Sequence, residues 1–143
     1  MEHLSPEACW ELLQTTPVGR VAVTVDGAPE IYPVNFVVDD RSVAFRTAPG
    51  SKLRGLDRFP TTCFEADVID ADLHAGWSVM VKGRAKDVAG PGEHAHLSSL
   101  PLTLWTGGSK DHWVRIRPTE VTGRRIHTIV AREGDETHEK TIS

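Results

Sequence analysis

The chain has 143 residues, 39% of them hydrophobic and 25% charged, which describes one globular domain with a single core. Its formal net charge of −4 excludes a general affinity for nucleic acid backbones, because such affinity needs a clustered basic excess. No apolar run reaches the roughly 18 residues that a membrane-spanning helix needs, and no signal-like segment is evident. Cys9 and Cys63 lack paired spacing and are typical of reduced thiols. We therefore expect a soluble, cytoplasmic protein with no nucleic acid or membrane partner.

The first two predicted elements are a short helix and a strand. Ser5 is a favourable helix cap and Pro6 fits the first helical turn, so a helix is predicted to begin there. From Gly19 to Val25 the apolar residues recur at every second position, which predicts a strand. Asp26 and Gly27 follow it, and this pair is typical of a tight hairpin turn. The chain is therefore expected to turn back along this strand.

Two further strands are predicted to complete an antiparallel meander. The segment from Glu30 to Val38 is rich in β-branched and aromatic residues, which favours a strand. Pro33 predicts a bulge or an edge position within it, because proline cannot donate to a central ladder. After a tight turn at Asp39 to Arg41, the segment from Ser42 to Thr47 is predicted as the third strand.

The second half of the chain adds strands and one helix. In chain order, the predictions are strands at Thr61 to Val68 and Trp77 to Val88, a short helix at Glu93 to Leu100, and one or two strands from Trp113 to Ile126 around Pro118. Six or more strands with few helices indicate a barrel. We expect this domain to occupy residues 1–130 and the charge-rich residues 131–143 to form a flexible tail.

Donor groups suited to an anion follow the third predicted strand. Arg46 and Thr47 end that strand, and a short turn brings Ser51 and Lys52 soon afterwards. Arginine offers a planar fork to phosphate oxygens, lysine offers a compact charge, and the hydroxyls and turn amides add neutral donors. The pattern therefore predicts a phosphate-binding turn. The alternative, which an isolated motif of this kind favours, is a surface turn with solvated charges.

The order of several segments along the chain is more specific than this turn. They are Gly19 to Val23, Ile31 to Val37, Phe45 to Leu53, Phe64 to Asp67 and Gly76 to Ala85. From Leu4 to Thr128 the series resembles the pyridoxamine 5'-phosphate oxidase-like superfamily of FMN-binding split barrels, in the short branch that includes nitroimidazole-resistance reductase-like proteins. The resemblance implies a mainly β fold, a six-stranded antiparallel split β-barrel with short flanking helices. It also implies a homodimer with two FMN sites at its interface.

The resemblance also implies roles for individual residues. One group matches the segment that holds the FMN phosphate and ribityl chain, a second matches the strand along the isoalloxazine ring, and a third matches a strand start that approaches the cofactor. In that order, the implied cofactor-binding residues are Arg46, Thr47, Ser51 and Lys52, then Pro33, Val34 and Asn35, and finally Trp77 and Ser78. Trp77 has an equally supported alternative role as a packing aromatic in the core or at an interface.

Two functions of different class are compatible with this resemblance. The first is an FMN-dependent oxidoreductase that transfers hydride or electrons between the flavin and an unidentified small molecule, with no side chain required as acid or base. The second is a non-catalytic module that holds flavin, haem or the deazaflavin F420 for sensing or storage. Vitamin B6 oxidation is not expected, because the chain is too short for the C-terminal substrate segment of the full-length oxidases. His94 and His96 would splay apart on a helix, so no metal site is predicted.

Overall fold

Six antiparallel strands close into a barrel in the computed structural model of the chain, which describes residues 1–102 and 112–127. The six barrel strands are β2 (Val18–Val25), β3 (Ala28–Val38), β4 (Val43–Thr47), β5 (Thr61–Asp70), β6 (Ala75–Asp87) and β7 (His112–Ile126), and they are preceded by a short seventh strand, β1 (Glu2–His3). Neighbours in the barrel follow the order β7-β4-β3-β2-β5-β6, and a further pairing of β6 with β7 closes the ring. The two-residue strand β1 adds to the outer edge of β7. The predicted six-stranded antiparallel barrel is confirmed.

Three short helices flank the barrel within the described residues. They are α1 (Pro6–Leu13), α2 (Ser51–Arg58) and α3 (Pro91–Ser98). Ser5 caps α1 as predicted, since its hydroxyl accepts a hydrogen bond of 3.2 Å from the backbone N–H of Ala8. The second predicted helix corresponds to α3, which begins slightly earlier than expected. The sequence predicts only a turn where α2 begins, so α2 is an addition to the predicted elements.

The meander of β2, β3 and β4 forms as predicted. Asp26 and Gly27 have positive φ angles of 51° and 79°, and they form the tight turn between β2 and β3. At Pro33, β3 pairs with β2 alone, because its pairing with β4 covers only Phe36 to Val38. The β2–β3 ladder has no register shift. Pro33 therefore occupies an edge-like position, and the alternative of a bulge is wrong.

A bulge does occur where β6 pairs with β7. β7 is one continuous strand, although its sequence predicted one or two. Pro118 pairs with Gly83, and the register shifts between Lys82 and Gly83. The irregularity lies opposite a residue that has no backbone N–H to donate. It thus lets a proline sit inside a long barrel strand.

The barrel interior is filled by side chains that alternate along each strand. Val21 and Val23 of β2, Phe64 of β5 and Val79 of β6 are at most 3% exposed. The rings of Phe36 and Phe64 meet edge to face, with their centroids 4.7 Å apart. Each fully buried side chain of this size contributes roughly 1.5–3 kcal/mol to stability. This alternation therefore decides which residues of each strand point outwards, where a ligand can reach them.

α3 packs against part of the outer barrel surface, and Arg115 of β7 forms an ion pair with it. Leu97 of α3 packs in a small apolar cluster with Ala44 of β4. Arg115 of β7 is 5% exposed, and it donates to Glu93 Oε1 at 2.8 Å and to Asp39 Oδ2 at 3.0 Å. Both apolar packing and ion pairs therefore hold α3 against β4 and β7.

The C-terminal end of the predicted domain and the membrane are the subjects of two further predictions. Residues 131–143, predicted as a flexible tail, lie outside the described residues, and the domain limit at residue 130 stays a prediction. Within residues 1–102 and 112–127, no helix has the length and apolar character needed to cross a membrane.

Candidate functional site

Arg46 carries a buried donor atom that has no hydrogen-bond partner in the described part of the chain. It lies near the end of β4, where Phe45 points into the core and Arg46 points to the opposite face. Its guanidinium carbon lies 5.7 Å from the ring centroid of Trp113, its register partner on β7. The Arg46 Nε atom is buried and forms no hydrogen bond with any described residue. Since such an unpaired donor costs about 1–3 kcal/mol, this position favours an acceptor supplied by a ligand.

The segment after β4 leads to the N-terminus of α2. Thr47 is 2% exposed, and its hydroxyl donates to the Ala48 carbonyl oxygen at 3.2 Å. Gly50 occupies the cap position of α2, so no side chain caps the first-turn N–H groups, and that turn holds no acidic residue. Ser51 is exposed at this helix start. An N-terminus of this kind attracts anions, because its N–H groups and the helix dipole both favour negative charge.

The Lys52 side chain at the start of α2 reaches Tyr32 of β3. Its amino nitrogen is 5.6 Å from the ring centroid of Tyr32. The Tyr32 hydroxyl donates to the carboxylate of Glu30, and this hydrogen bond raises the pKa of Tyr32. Tyr32 was not predicted as a site residue, although it directly precedes the predicted ring-binding residues Pro33 to Asn35. The contact therefore places the positive charge of Lys52, from the predicted phosphate-binding segment, beside β3, the strand predicted to run along the isoalloxazine ring.

The three predicted residues of β3 do not share one face. Pro33 is exposed and Asn35 is half-buried on the outer face, whereas Val34 is 5% exposed and lies in the core. Val34 can therefore meet a ligand only through its backbone. The Asn35 Nδ2 atom donates to the Pro17 carbonyl oxygen at 3.4 Å, which orients the amide group.

Trp77 and Ser78 lie apart from the other predicted residues within one chain. Both belong to β6, and strands β2 and β5 separate β6 from β3. Trp77 is 8% exposed and belongs to the main core cluster, as its alternative packing role would require. Ser78 is half-buried on the outer face beside its register partner Asp67. The role predicted for Ser78 therefore favours a site shared between two chains.

A charged cluster on the outer face adjoins Pro33. Arg20 pairs in register with Pro33 on β3 and with Glu65 on β5. Its Nη1 atom lies 2.9 Å from Glu65 Oε1 and 3.3 Å from Asp67 Oδ2. Burial, followed by hydrogen bonding and repulsion from Asp67, raises the pKa of Glu65 to about 7 against the opposing effect of Arg20. This cluster was not predicted, because Arg20 stands 45 residues before Glu65 and only the strand register brings them together.

His94 and His96 of α3 do not belong to a metal-binding cluster among the described residues. Within residues 1–102 and 112–127, no three His, Cys, Asp or Glu side chains are placed to hold a metal ion together. The Nε2 atom of His96 instead lies 2.9 Å from Asp39 Oδ1. Hydrogen bonding to His96 lowers the pKa of Asp39.

Known proteins resemble the chain over most of its length. A family model described as pyridoxamine 5'-phosphate oxidase matches residues 5–125. A solved FAD binding protein from Mycobacterium smegmatis is 42% identical, with a TM-score of 0.75 over 88% of this chain and 98% of that one. A candidate pyridoxamine 5'-phosphate oxidase from Corynebacterium glutamicum is 36% identical, with a TM-score of 0.78 over 88% of this chain and 92% of that one.

A more distant structure shares the fold. A candidate 5-nitroimidazole antibiotic resistance protein from Bacteroides thetaiotaomicron is 15% identical, with a TM-score of 0.72 over 87% of this chain and 85% of that one. At this identity the likeness shows the fold alone. The family model and the two structures of higher identity confirm the family resemblance inferred from the order of the sequence segments.

Proposed function

Because the chain belongs to the pyridoxamine 5'-phosphate oxidase family, we propose that it binds a flavin and transfers hydride or electrons between that flavin and a small molecule. The observation that carries this proposal is the buried Nε atom of Arg46, which has no hydrogen-bond partner among residues 1–102 and 112–127. Arg46 precedes the N-terminus of α2 by a short turn. The M. smegmatis protein that is 42% identical is described as FAD binding, which supports a flavin in this chain. When bound, a flavin supplies the redox chemistry, and the protein supplies binding and orientation.

The donors around Arg46 suit the phosphate of an FMN group, either in FMN itself or in the same half of FAD. The phosphate of FMN carries close to two negative charges at neutral pH, and the corresponding phosphate of FAD carries one. Either group is costly to bury without positive partners. Arg46 offers its unpaired donor, Lys52 offers a positive charge, and the start of α2 offers backbone N–H groups. Thr47 and Ser51 add hydroxyl groups. The residues present therefore fit the phosphate group.

β3 suits the isoalloxazine ring of the same ligand. Its pairing with β4 stops at Phe36, so the backbone from Pro33 to Asn35 is not paired with β4. Backbone groups and the Asn35 amide can bond the polar edge of a ring placed there. The ring would then extend from the phosphate-binding segment along the outer side of β3.

We further propose that the functional unit is a homodimer. Ile31 is 70% exposed on β3, where its register partner on β2 is Ala22. Together with Pro33 these residues present an apolar strip on the outer face, which a second chain would cover. Ser78 of that second chain could then approach β3, which it does not approach within its own chain. We expect this dimer to act in the cytoplasm.

The proposal is tested by the absorption spectrum of the purified protein. We expect the spectrum of an oxidised flavin, bleaching by a reduced nicotinamide or dithionite, and recovery when a small-molecule acceptor is added. A flavin spectrum without turnover of any acceptor would favour the non-catalytic alternative, and a haem or F420 spectrum would name a different cofactor. A protein that carries no chromophore and binds neither FMN nor FAD would contradict the proposal.

A further inference from the structure

A cleft with a volume of about 470 Å³ lies between α2 and the β2–β3 hairpin. On the helix side it is lined by Ser51, Arg54 and Arg58, whose spacing places them on one face of α2. On the other side it is lined by the end of β2 and by the turn at Asp26 and Gly27. Sites for small molecules occupy roughly 300–1,000 Å³, so the cleft is large enough for a ligand.

Positive charge and aromatic surface meet in this cleft. The Arg54 Nη2 atom donates to Ser51 Oγ at 3.4 Å, which directs this guanidinium towards the helix start. The guanidinium carbon of Arg58 lies 5.4 Å from the ring centroid of Phe59, and Phe59 is 44% exposed. Asp26 is the acidic residue among the lining side chains, so the two arginines leave a net positive charge.

These groups suit a phosphate followed by a purine base. A guanidinium group matches phosphate oxygens with its planar fork of donors. An exposed aromatic ring beside a guanidinium plane offers a stacking surface for a nucleobase. The cleft therefore combines the two kinds of contact that an adenine nucleotide needs.

The cleft is continuous with the phosphate-binding segment through Ser51. This residue belongs to the predicted FMN phosphate segment and also lines the cleft. A ligand that continues beyond the flavin phosphate would enter the cleft along the face of α2 that carries Arg54 and Arg58. FMN ends at its single phosphate, whereas FAD continues with a second phosphate and adenosine.

We propose that this cleft binds the adenylate half of FAD, with Arg54 at the second phosphate and with Arg58 and Phe59 against the adenine base. This inference rests on the proposed flavin-binding function. Both flavins share the proposed contacts at Arg46 and Lys52. The proposed cleft contacts of Arg54, Arg58 and Phe59 would therefore distinguish FAD from FMN.

Calorimetric titration of FMN, FAD and AMP into the wild-type protein and four variants tests this assignment. The cleft variants are Arg54→Ala, Arg58→Ala and Phe59→Leu, all at exposed positions that leave the core intact. The matched control is Arg41→Ala, since Arg41 lies in the β3–β4 turn and its side chain is 62% exposed. We expect the wild type to bind FAD at least about tenfold more tightly than FMN, because FAD adds contacts at its second phosphate and at its adenine base. Each cleft variant should weaken FAD about fivefold and FMN less than about twofold.

The outcomes separate this inference from the proposed function. Equal affinities for FMN and FAD in the wild type, or a preference for FAD that all three cleft variants retain, would overturn the assignment and leave flavin binding in place. AMP binding that depends on Arg54, without any preference for FAD, would indicate a site for a free adenine nucleotide and would also overturn it. Failure of the wild type to bind either flavin would overturn the proposed function itself.

Discussion

Arg46 and Lys52 are the residues on which the flavin assignment depends. Removal of a charge-assisted contact to a phosphate costs roughly 1.5–3 kcal/mol, so Arg46→Ala or Lys52→Ala should weaken FMN about tenfold to a hundredfold. Riboflavin lacks the phosphate, so it should bind the wild type poorly and lose little further in either variant. Fluorescence titration of both ligands measures these affinities.

Arg41→Ala provides the control for this comparison. The Arg41 side chain is exposed in a turn, and its Nη2 atom lies 4.0 Å from Glu7 Oε1. Because exposed ion pairs contribute little, Arg41→Ala should change the FMN affinity less than about twofold. If Arg46→Ala and Lys52→Ala behaved like this control, or weakened FMN and riboflavin equally, Arg46 and Lys52 would not hold the phosphate.

Glu65 should make the stability of the protein depend on pH. Burial raises the pKa of Glu65 from 4.5 to about 7, so the folded state binds this proton more tightly than the unfolded state does. The free energy of unfolding should therefore fall as pH rises from about 4.5 to about 7. Because the side chain is 36% exposed, solvent screening limits the effect to on the order of 1 kcal/mol.

The Glu65→Gln variant isolates this contribution. Glutamine cannot ionise, so urea denaturation at about pH 5 and about pH 8 should show a smaller pH dependence than in the wild type. Glu7→Gln is the control, because the Glu7 side chain is 79% exposed. Identical pH dependence in the wild type and Glu65→Gln would show that Glu65 has an ordinary pKa.

Residue types and spacing identified part of the candidate site. The run from Arg46 to Lys52 indicated phosphate chemistry, and alternation along β6 already placed Trp77 on the same side as Val79 and Val81. The unpaired Nε atom of Arg46 could not be predicted, because it depends on how β4 packs against β7. The strand register that joins Arg20 to Glu65 is likewise absent from any local pattern.

At the scale of elements, the close contact of α2 with β2 positions Ser51 and Lys52. A Cβ atom at Gly55 would lie 2.5 Å from Val23 Cγ1 and 2.6 Å from the Thr24 carbonyl oxygen. Gly55→Ala should therefore push α2 away from the barrel, with a stability loss of about 1–3 kcal/mol and weaker FMN binding. Thermal denaturation and FMN titration measure the two effects.

Gly92→Ala is the matched control in another helix. A Cβ atom at Gly92 of α3 would have no atom within 4 Å, so alanine there should be neutral or stabilise the helix. If Gly55→Ala retained the stability and FMN affinity of Gly92→Ala, the position of α2 would not depend on this close approach.

α2 and β1 show which elements a local pattern cannot predict. The segment of α2 is eight residues long and includes Gly55, which has a low helix propensity. It forms because Leu53 and Leu56 pack against the barrel core. β1 has only two residues and exists through its pairing with β7. The longer strands had alternating patterns or many β-branched and aromatic residues, and they were predicted within a few residues.

At the scale of the whole molecule, the apolar strip on β3 should drive dimer formation. Ile31 is 70% exposed and lies outside the core, so Ile31→Lys should leave the barrel folded while it places a charge in the interface. We expect this variant to shift the protein towards monomers and to lose flavin in parallel. Light scattering together with flavin absorbance measures both. A dimer that keeps its flavin would place the interface elsewhere.

The barrel itself was predictable from strand number and alternation, but its closure and assembly were not. Closure depends on the pairing of β6 with β7, whose residues are distant in sequence. Assembly depends on which outward residues form a continuous apolar surface, and that follows only from the register of β2 with β3. The homodimer was expected from the family resemblance, and it remains a proposal that the exposed apolar strip on the outer face supports.

Sedimentation velocity, followed at both protein and flavin wavelengths, tests most directly whether this chain binds flavin in a site that two chains form. We expect flavin absorbance to sediment with the mass of two chains, with two flavins in each dimer, and we expect flavin to be released as dilution produces monomers. Flavin that sediments with a stable monomer, or a dimer that takes up no flavin, would contradict this expectation.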